Sequence, residues 1–157
     1  VELVKRLVDE EIPVVAHIGL TPQSVYKMGG YRVQGRTAEQ AKRLIEDAKM
    51  LEEAGAFAIV LELVPREVAQ MITDELSIST IGIGAGLGCD IQVLVLHDLV
   101  GMTFGRQPRF VRQYANVRNV MTEAIHNWTK DVKSGAYPAD DESYGLTEET
   151  LLELTGS

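Results

Sequence analysis

Short runs that are apolar on both faces alternate along this chain with longer stretches of helical period. That alternation constrains the fold more than any other feature. The apolar runs are residues 12–18, 57–62, 80–83 and 93–97, and strands buried on both faces belong to parallel sheets covered by helices. Thr37, with Gln40 three residues on, has the spacing of a capping box. It opens a helix to residue 54 with Ala41, Leu44, Ile45, Ala48 and Leu51 on one face, and Gly55 suits a left-handed stop. Pro65 opens a second helix over 65–76, with Val68, Met71, Ile72 and Leu76 on its apolar face. Residues 109–134 read as one long helix, in which Met121, Ile125 and Trp128 share a packing face, and Gly135 ends it. Residues 19–37 form a connection long enough to point to function. Two closures accommodate such a pattern, an open doubly wound sheet and a (β/α)8 barrel. A barrel takes about 250 residues, so 157 residues hold about half of one.

Charge narrows the partners. Lys and Arg total 15 against 23 Asp and Glu, a net charge of −8, which speaks against nucleic acid and anionic membrane surfaces. The single cysteine, Cys89, leaves no internal disulfide or cysteine-based zinc site and fits a reducing cytoplasm. No apolar run approaches the roughly 20 residues of a membrane span. Val1 already lies inside a helical pattern, with no cap residue and no signal-peptide pattern around it. The expectation is a chain entered partway through a helix, a piece of something longer.

Ligands of parallel α/β folds gather at the C-terminal ends of the strands. That rule selects His17, Glu62, the loop 84–88, and His97 with Asp98. Glu62 ends an apolar run, where a carboxylate is costly to bury unless paired or functional. Partial desolvation would raise its pKa toward that of a general base. The competing reading is a Glu that has cleared the strand and faces solvent or caps the next helix. His17 suits anion or carbonyl binding, base chemistry or metal ligation. Its residue context alone favours a core histidine bonded to backbone. His17, Glu62 and His97 lack any local metal-ligand spacing.

The run from Gly82 to Gly88 does not fit G-x-G-x-x-G, because Leu87 stands where the third glycine belongs. Close approach to a ligand or tight turning at a barrel mouth are the better readings. The stretch from Gly30 to Thr37 mimics a Walker A motif but has Arg36 in place of the lysine. Asp140, Asp141 and Glu142 read as a solvated charge run, and Cys89 as a small buried residue.

Four blocks together are distinctive: Ala16-His17-Ile18-Gly19-Leu20-Thr21-Pro22-Gln23-Ser24, Gly29-Gly30-Tyr31-Arg32-Val33-Gln34-Gly35-Arg36, Leu61-Glu62-Leu63-Val64-Pro65 and Ile81-Gly82-Ile83-Gly84-Ala85-Gly86. In this order and spacing the chain closely resembles the ketopantoate hydroxymethyltransferase family over about residues 1–145. The resemblance implies a (β/α)8 TIM barrel, a homo-oligomer, typically decameric, and a role in pantothenate synthesis. It implies that the enolate of α-ketoisovalerate attacks 5,10-methylenetetrahydrofolate, with Mg²⁺ chelating the keto acid and water completing the hydroxymethyl group. Glu62 matches the family glutamate that is the candidate base for the C3 proton or that holds the new hydroxymethyl. His17 matches a histidine lining the substrate pocket.

Ile91 departs from the family, which usually has glycine there. The family's magnesium-binding aspartates, its metal-proximal glutamate and an active-site lysine all fall before the matched region. The resemblance therefore assigns residues 1–145 to strands five to eight, the C-terminal half of the barrel, with 146–157 a tail that forms a short helix or stays mobile. Four strands cannot close, so the missing N-terminal half is an expected partner. Two alternatives accompany this reading: a catalytically incomplete half-barrel acting as an assembly partner, and another magnesium-dependent keto-acid lyase or aldolase.

Overall fold

Each connection between consecutive strands returns the chain to the adjacent position in one sheet. In this computed structural model, which describes residues 1–21 and 32–156, the helices are α1 (Glu2–Asp9), α2 (Ala38–Glu53), α3 (Arg66–Glu75), α4 (Leu96–Leu99), α5 (Val117–Ser134) and α6 (Glu148–Thr155). The strands are β1 (Val15–Gly19), β2 (Ala58–Glu62), β3 (Ser79–Ile83) and β4 (Ile91–Gln92). They pair in the order β1-β2-β3-β4, all parallel. A doubly wound sheet reverses its strand order at a switch point. This sheet does not, and right-handed crossovers that all step the same way put their helices on one face. That is the arrangement of a (β/α)8 barrel arc.

Register separates the two faces. Side chains alternate along a strand, while registered partners point the same way. Ala16, Ile18, Ile59 and Leu61 face the helices and join Ala48, Val68, Ala69 and Ile72 in one core. Ile59, Leu61 and Ile72 are fully buried, each contributing about 1.5–3 kcal/mol of apolar transfer. The opposite face carries His17, Val60, Ile81 and Ile91 in one row, with Gly19, Glu62 and Ile83 in the next.

Thr37 caps α2 as expected, but the Gln40 side chain reaches one residue beyond the capping-box amide, to Arg36 rather than Thr37. Thr37 Oγ1 accepts from the Gln40 amide at 3.2 Å, and the Gln40 side chain accepts from the Arg36 amide at 3.1 Å. Gly55 takes the left-handed conformation, φ +95°. In α3 the buried residues are Val68, Ala69 and Ile72. Met71, expected on the apolar face, is instead exposed.

The C-terminal third departs further from expectation. The run 93–97 is not a strand. Pairing ends at Gln92, apart from one bond from the Val93 amide to the Gly82 carbonyl, and His97 lies in α4. Ile91 opens β4. The long helix begins at Val117, not 109. The preceding segment folds back, with the Tyr114 amide bonded to the Leu99 carbonyl and the Val117 amide to the Val100 carbonyl. Asn116 caps α5 by accepting from the Asn119 amide, and Gly135 ends it in a left-handed conformation. No residue of α5 is buried. Trp128 therefore does not pack in the core; its ring contact is Tyr137, edge-on at 6.2 Å between centroids. The acidic run Asp140–Glu142 forms an exposed 3-10 turn, as its charge suggests. α6 supplies the short helix expected in the tail.

Candidate active site at the strand ends

Parallel pairing sets Gly19 beside Glu62 and His17 beside Val60. His17 and Glu62 are thus diagonal neighbours on the face turned away from the helices. His17 Nε2 lies 3.2 Å from Glu62 Oε2. The carboxylate side chain is 11% exposed and the imidazole 32%. Burial raises the Glu62 pKa above its ordinary value, while the facing His17 partly offsets that rise through charge and hydrogen bonding. A carboxyl raised by desolvation yet paired to an imidazole can accept a proton and remain oriented while it does so.

The backbone around Glu62 is held from several sides. The Glu62 carbonyl accepts from the Leu20 amide at 2.8 Å. Gly19 has φ +89°, and a Cβ there would run into that same carbonyl, so glycine is required for β1 to come this close. Leu63 takes φ +50°, an uncommon conformation for a residue with a branched side chain. Its amide donates to the Ile83 carbonyl at 2.9 Å, and its carbonyl accepts from the Gln34 amide at 2.9 Å. Strain next to Glu62 is thus over-determined by bonds to β3 and to the segment before α2. Nothing in the sequence marks Leu63 for this role, because leucine carries no left-handed signal.

The glycine-rich loop after β3 turns tightly, which is one of its two expected readings: Gly84 takes φ +63°. Gly86 has φ +83°, and a Cβ there would overlap the Cβ of Arg66 at the start of α3. The space beside Gly88 is filled by the Gln70 side chain. The close approach at Gly86 and Gly88 is to helix α3. Gln92 Nε2 donates to the Gly86 carbonyl at 2.9 Å. Asp90 Oδ2 accepts from the Thr80 amide at 2.8 Å and from Thr80 Oγ1 at 3.1 Å, which closes the loop onto β3. Thr80 is fully buried, and its hydroxyl also meets Thr73 Oγ1 at 2.8 Å. Cys89 is buried as expected, and burial pushes its thiol pKa up.

His97 and Asp98 are not brought to the site. His97 is exposed on α4, and Asp98 accepts from Thr103 Oγ1 at 2.5 Å. The Walker-like stretch is described from Arg32 onward. There Gly35 packs against Leu44 and Pro65. Pro22, Gln23, Ser24, Gly29, Gly30 and Tyr31, which carry part of the family resemblance, lie outside the described residues.

Among the described residues, no group of three or more His, Cys, Asp or Glu side chains could hold a metal ion. Glu62 is engaged by His17, Asp90 by Thr80 and Asp98 by Thr103. The magnesium implied by the resemblance therefore finds no ligand set in these residues. No helix among the described residues is long and apolar enough to cross a membrane.

The sequential parallel sheet, with a histidine–glutamate pair at its strand ends, defines an arc of a (β/α) barrel bearing acid–base groups at its mouth. Comparison with known proteins is then specific. The sequence profile of the ketopantoate hydroxymethyltransferase family matches residues 1–140, and the chain belongs to that family. It is 55% identical over 152 residues to the 3-methyl-2-oxobutanoate hydroxymethyltransferase of Koribacter versatilis, covering 97% of this chain and 52% of the relative. The Clostridium botulinum enzyme of the same name is 53% identical over 154 residues, covering 98% and 56%. That of Clostridioides difficile is 49% identical over 154 residues with the same coverage. The chain spans about half the length of these curated relatives.

Proposed function

We propose that this chain supplies the His17–Glu62 wall of a hydroxymethyltransferase that converts α-ketoisovalerate to ketopantoate in the cytoplasm, within pantothenate synthesis. The pairing of His17 with a desolvated Glu62 carries the proposal. Glu62 accepts the C3 proton of the keto acid, breaking the C3–H bond. The C3 carbanion equivalent bonds to the methylene carbon of 5,10-methylenetetrahydrofolate. The bonds from that carbon to the carrier nitrogens break, and water supplies the hydroxyl oxygen. The products are ketopantoate and tetrahydrofolate. His17 orients the carboxylate and lines the keto-acid pocket.

The proposal includes a second piece of barrel. In the described sheet β1 and β4 are each paired on one side only, and the face bearing His17 leaves Val15 and Ile91 nearly half exposed. An N-terminal half covering that face would complete the closure, and it would also supply the Mg²⁺ ligands that these residues lack. Homo-oligomerisation of the completed barrel belongs to the same proposal.

The open edges also favour a second reading, an assembly partner without chemistry of its own. Hydroxymethyl transfer assayed on the protein that carries this chain, with Glu62→Gln in parallel, tests both. Folate-dependent turnover lost in the variant supports the transferase. Keto-acid cleavage independent of folate would instead indicate a lyase, and no turnover would favour the assembly partner.

A further inference from the structure

Among the described residues, Leu63 and Glu11 alone take a left-handed backbone without being glycine. Glu11 lies in an exposed turn after α1, whereas Leu63 follows Glu62 and is half-buried. A φ of +50° is unfavourable for a leucine, and here it is held from several sides. The peptide group joining Glu62 to Leu63 is bonded at both of its polar atoms. Its carbonyl accepts from the Leu20 amide, just past β1, and its N–H donates to the Ile83 carbonyl at the end of β3. The Leu63 carbonyl accepts from the Gln34 amide. The Leu63 side chain and the Phe110 ring both crowd the space beside Gly84.

The consequence falls on Glu62. In a strand that ran on past Glu62, alternation would turn Leu63 toward the helices and put Val64 on the same face as Glu62. Val64 is instead 2% exposed, in the helix-side core with Leu61 and Val68. The left-handed residue breaks the alternation. Glu62 is thereby the last side chain that β2 presents on the face bearing His17.

We propose that Leu63 is a positioning residue for the hydroxymethyl transfer, its left-handed backbone holding the Glu62 carboxylate beside His17 and in reach of the C3 proton. The assignment rests on Glu62 as the base and deepens that reading. Leu63 acts through the backbone. An extended conformation at 63 would turn its carbonyl away from Gln34 and return Val64 to the face of Glu62, displacing the carboxylate. A misplacement of about 1 Å costs on the order of 10²-fold in rate.

A backbone role and a packing role predict opposite orders among substitutions. Valine keeps an apolar side chain but resists positive φ, whereas asparagine and glycine accept that conformation and forfeit the apolar contact. The experiment measures kcat and KM for α-ketoisovalerate, and solvent exchange of its C3 proton with magnesium and no folate, in the protein that carries this chain. Leu63→Val is expected to lower kcat and the exchange rate about 10–100-fold, with KM within about twofold of the parent. Leu63→Asn and Leu63→Gly should keep both rates within about threefold. The reverse order, with valine near the parent and the other two impaired, overturns the proposal, and so do parental rates in all three. Should Leu63→Val fail to fold, the other two decide: retained rates support the backbone role, and a loss of about tenfold in either folded variant overturns it. Glu62→Gln, run alongside, separates the two levels. Exchange lost in Glu62→Gln but kept in Leu63→Val overturns the positioning role and leaves the base standing. Parental exchange in Glu62→Gln overturns the base, and the positioning role with it.

Discussion

Across adjacent strands, His17 Nε2 lies 3.2 Å from Glu62 Oε2, so the ionisation of the carboxyl depends on the imidazole beside it. His17 lowers the Glu62 pKa against the larger upward effect of burial. Removing the imidazole with His17→Ala should let burial raise that pKa further. A base must be ionised to accept a proton, so the acid limb of kcat/KM against pH should move to higher pH. KM for the keto acid should rise about tenfold from loss of one polar contact. A pH–rate series on the variant checks this. An unmoved acid limb would separate His17 from the ionisation of Glu62.

The raised carboxyl also has a stability consequence. The folded protein holds the Glu62 proton more tightly than the unfolded chain does, so stability falls as pH rises through the folded value. Below the unfolded value, near the ordinary carboxyl pKa of 4.5, both states are protonated and the effect vanishes. Glu62→Gln mimics the protonated form. Its Tm should exceed that of the parent at pH 7, and the two should converge near pH 4. Thermal melts at the two pH values decide it, and a variant less stable at pH 7 would contradict the desolvation argument.

The glycine loop makes a graded prediction. Gly86→Ala places a Cβ against the Cβ of Arg66 in a left-handed conformation, whereas Gly88→Ala meets chiefly the flexible Gln70 side chain. The first should cost about 1–3 kcal/mol and the second less. Urea denaturation of both variants measures the order, and equal losses would mean that the loop does not lean on α3.

Cys89 should react slowly with a maleimide or iodoacetamide at pH 7 and rapidly in denaturant. Burial both shields the thiol and keeps it protonated. Rapid alkylation of the folded protein would place Cys89 in contact with solvent.

The first three strands and their helices are legible in the sequence because several local signals agree there. Thr37 and Gln40 bracket the start of α2, Gly55 marks its end, and Pro65 precedes α3. After β3 the signals conflict. The run 93–97 is apolar and β-branched, but pairing ends at Gln92 and the chain turns into α4, which carries His97 off the sheet. The helical period of 109–116 yields to bonds with Leu99 and Val100. Asn116, the one local mark of the true helix start, caps α5.

The site divides the same way. The strand-end rule finds His17 and Glu62 separately, but their pairing depends on the registers Gly19–Glu62 and His17–Val60, which no single strand encodes. The glycines of 84–88 announce a close approach without naming its object. At Gly86 and Gly88 only the packed structure identifies it as α3.

The most direct test follows the C3 proton of α-ketoisovalerate by NMR in deuterated water, with the protein that carries this chain, magnesium and no folate. The expected result is solvent exchange at C3 in the parent, reduced about 10²–10⁴-fold in Glu62→Gln. Exchange at the parental rate in that variant would remove Glu62 as the base and contradict the central claim.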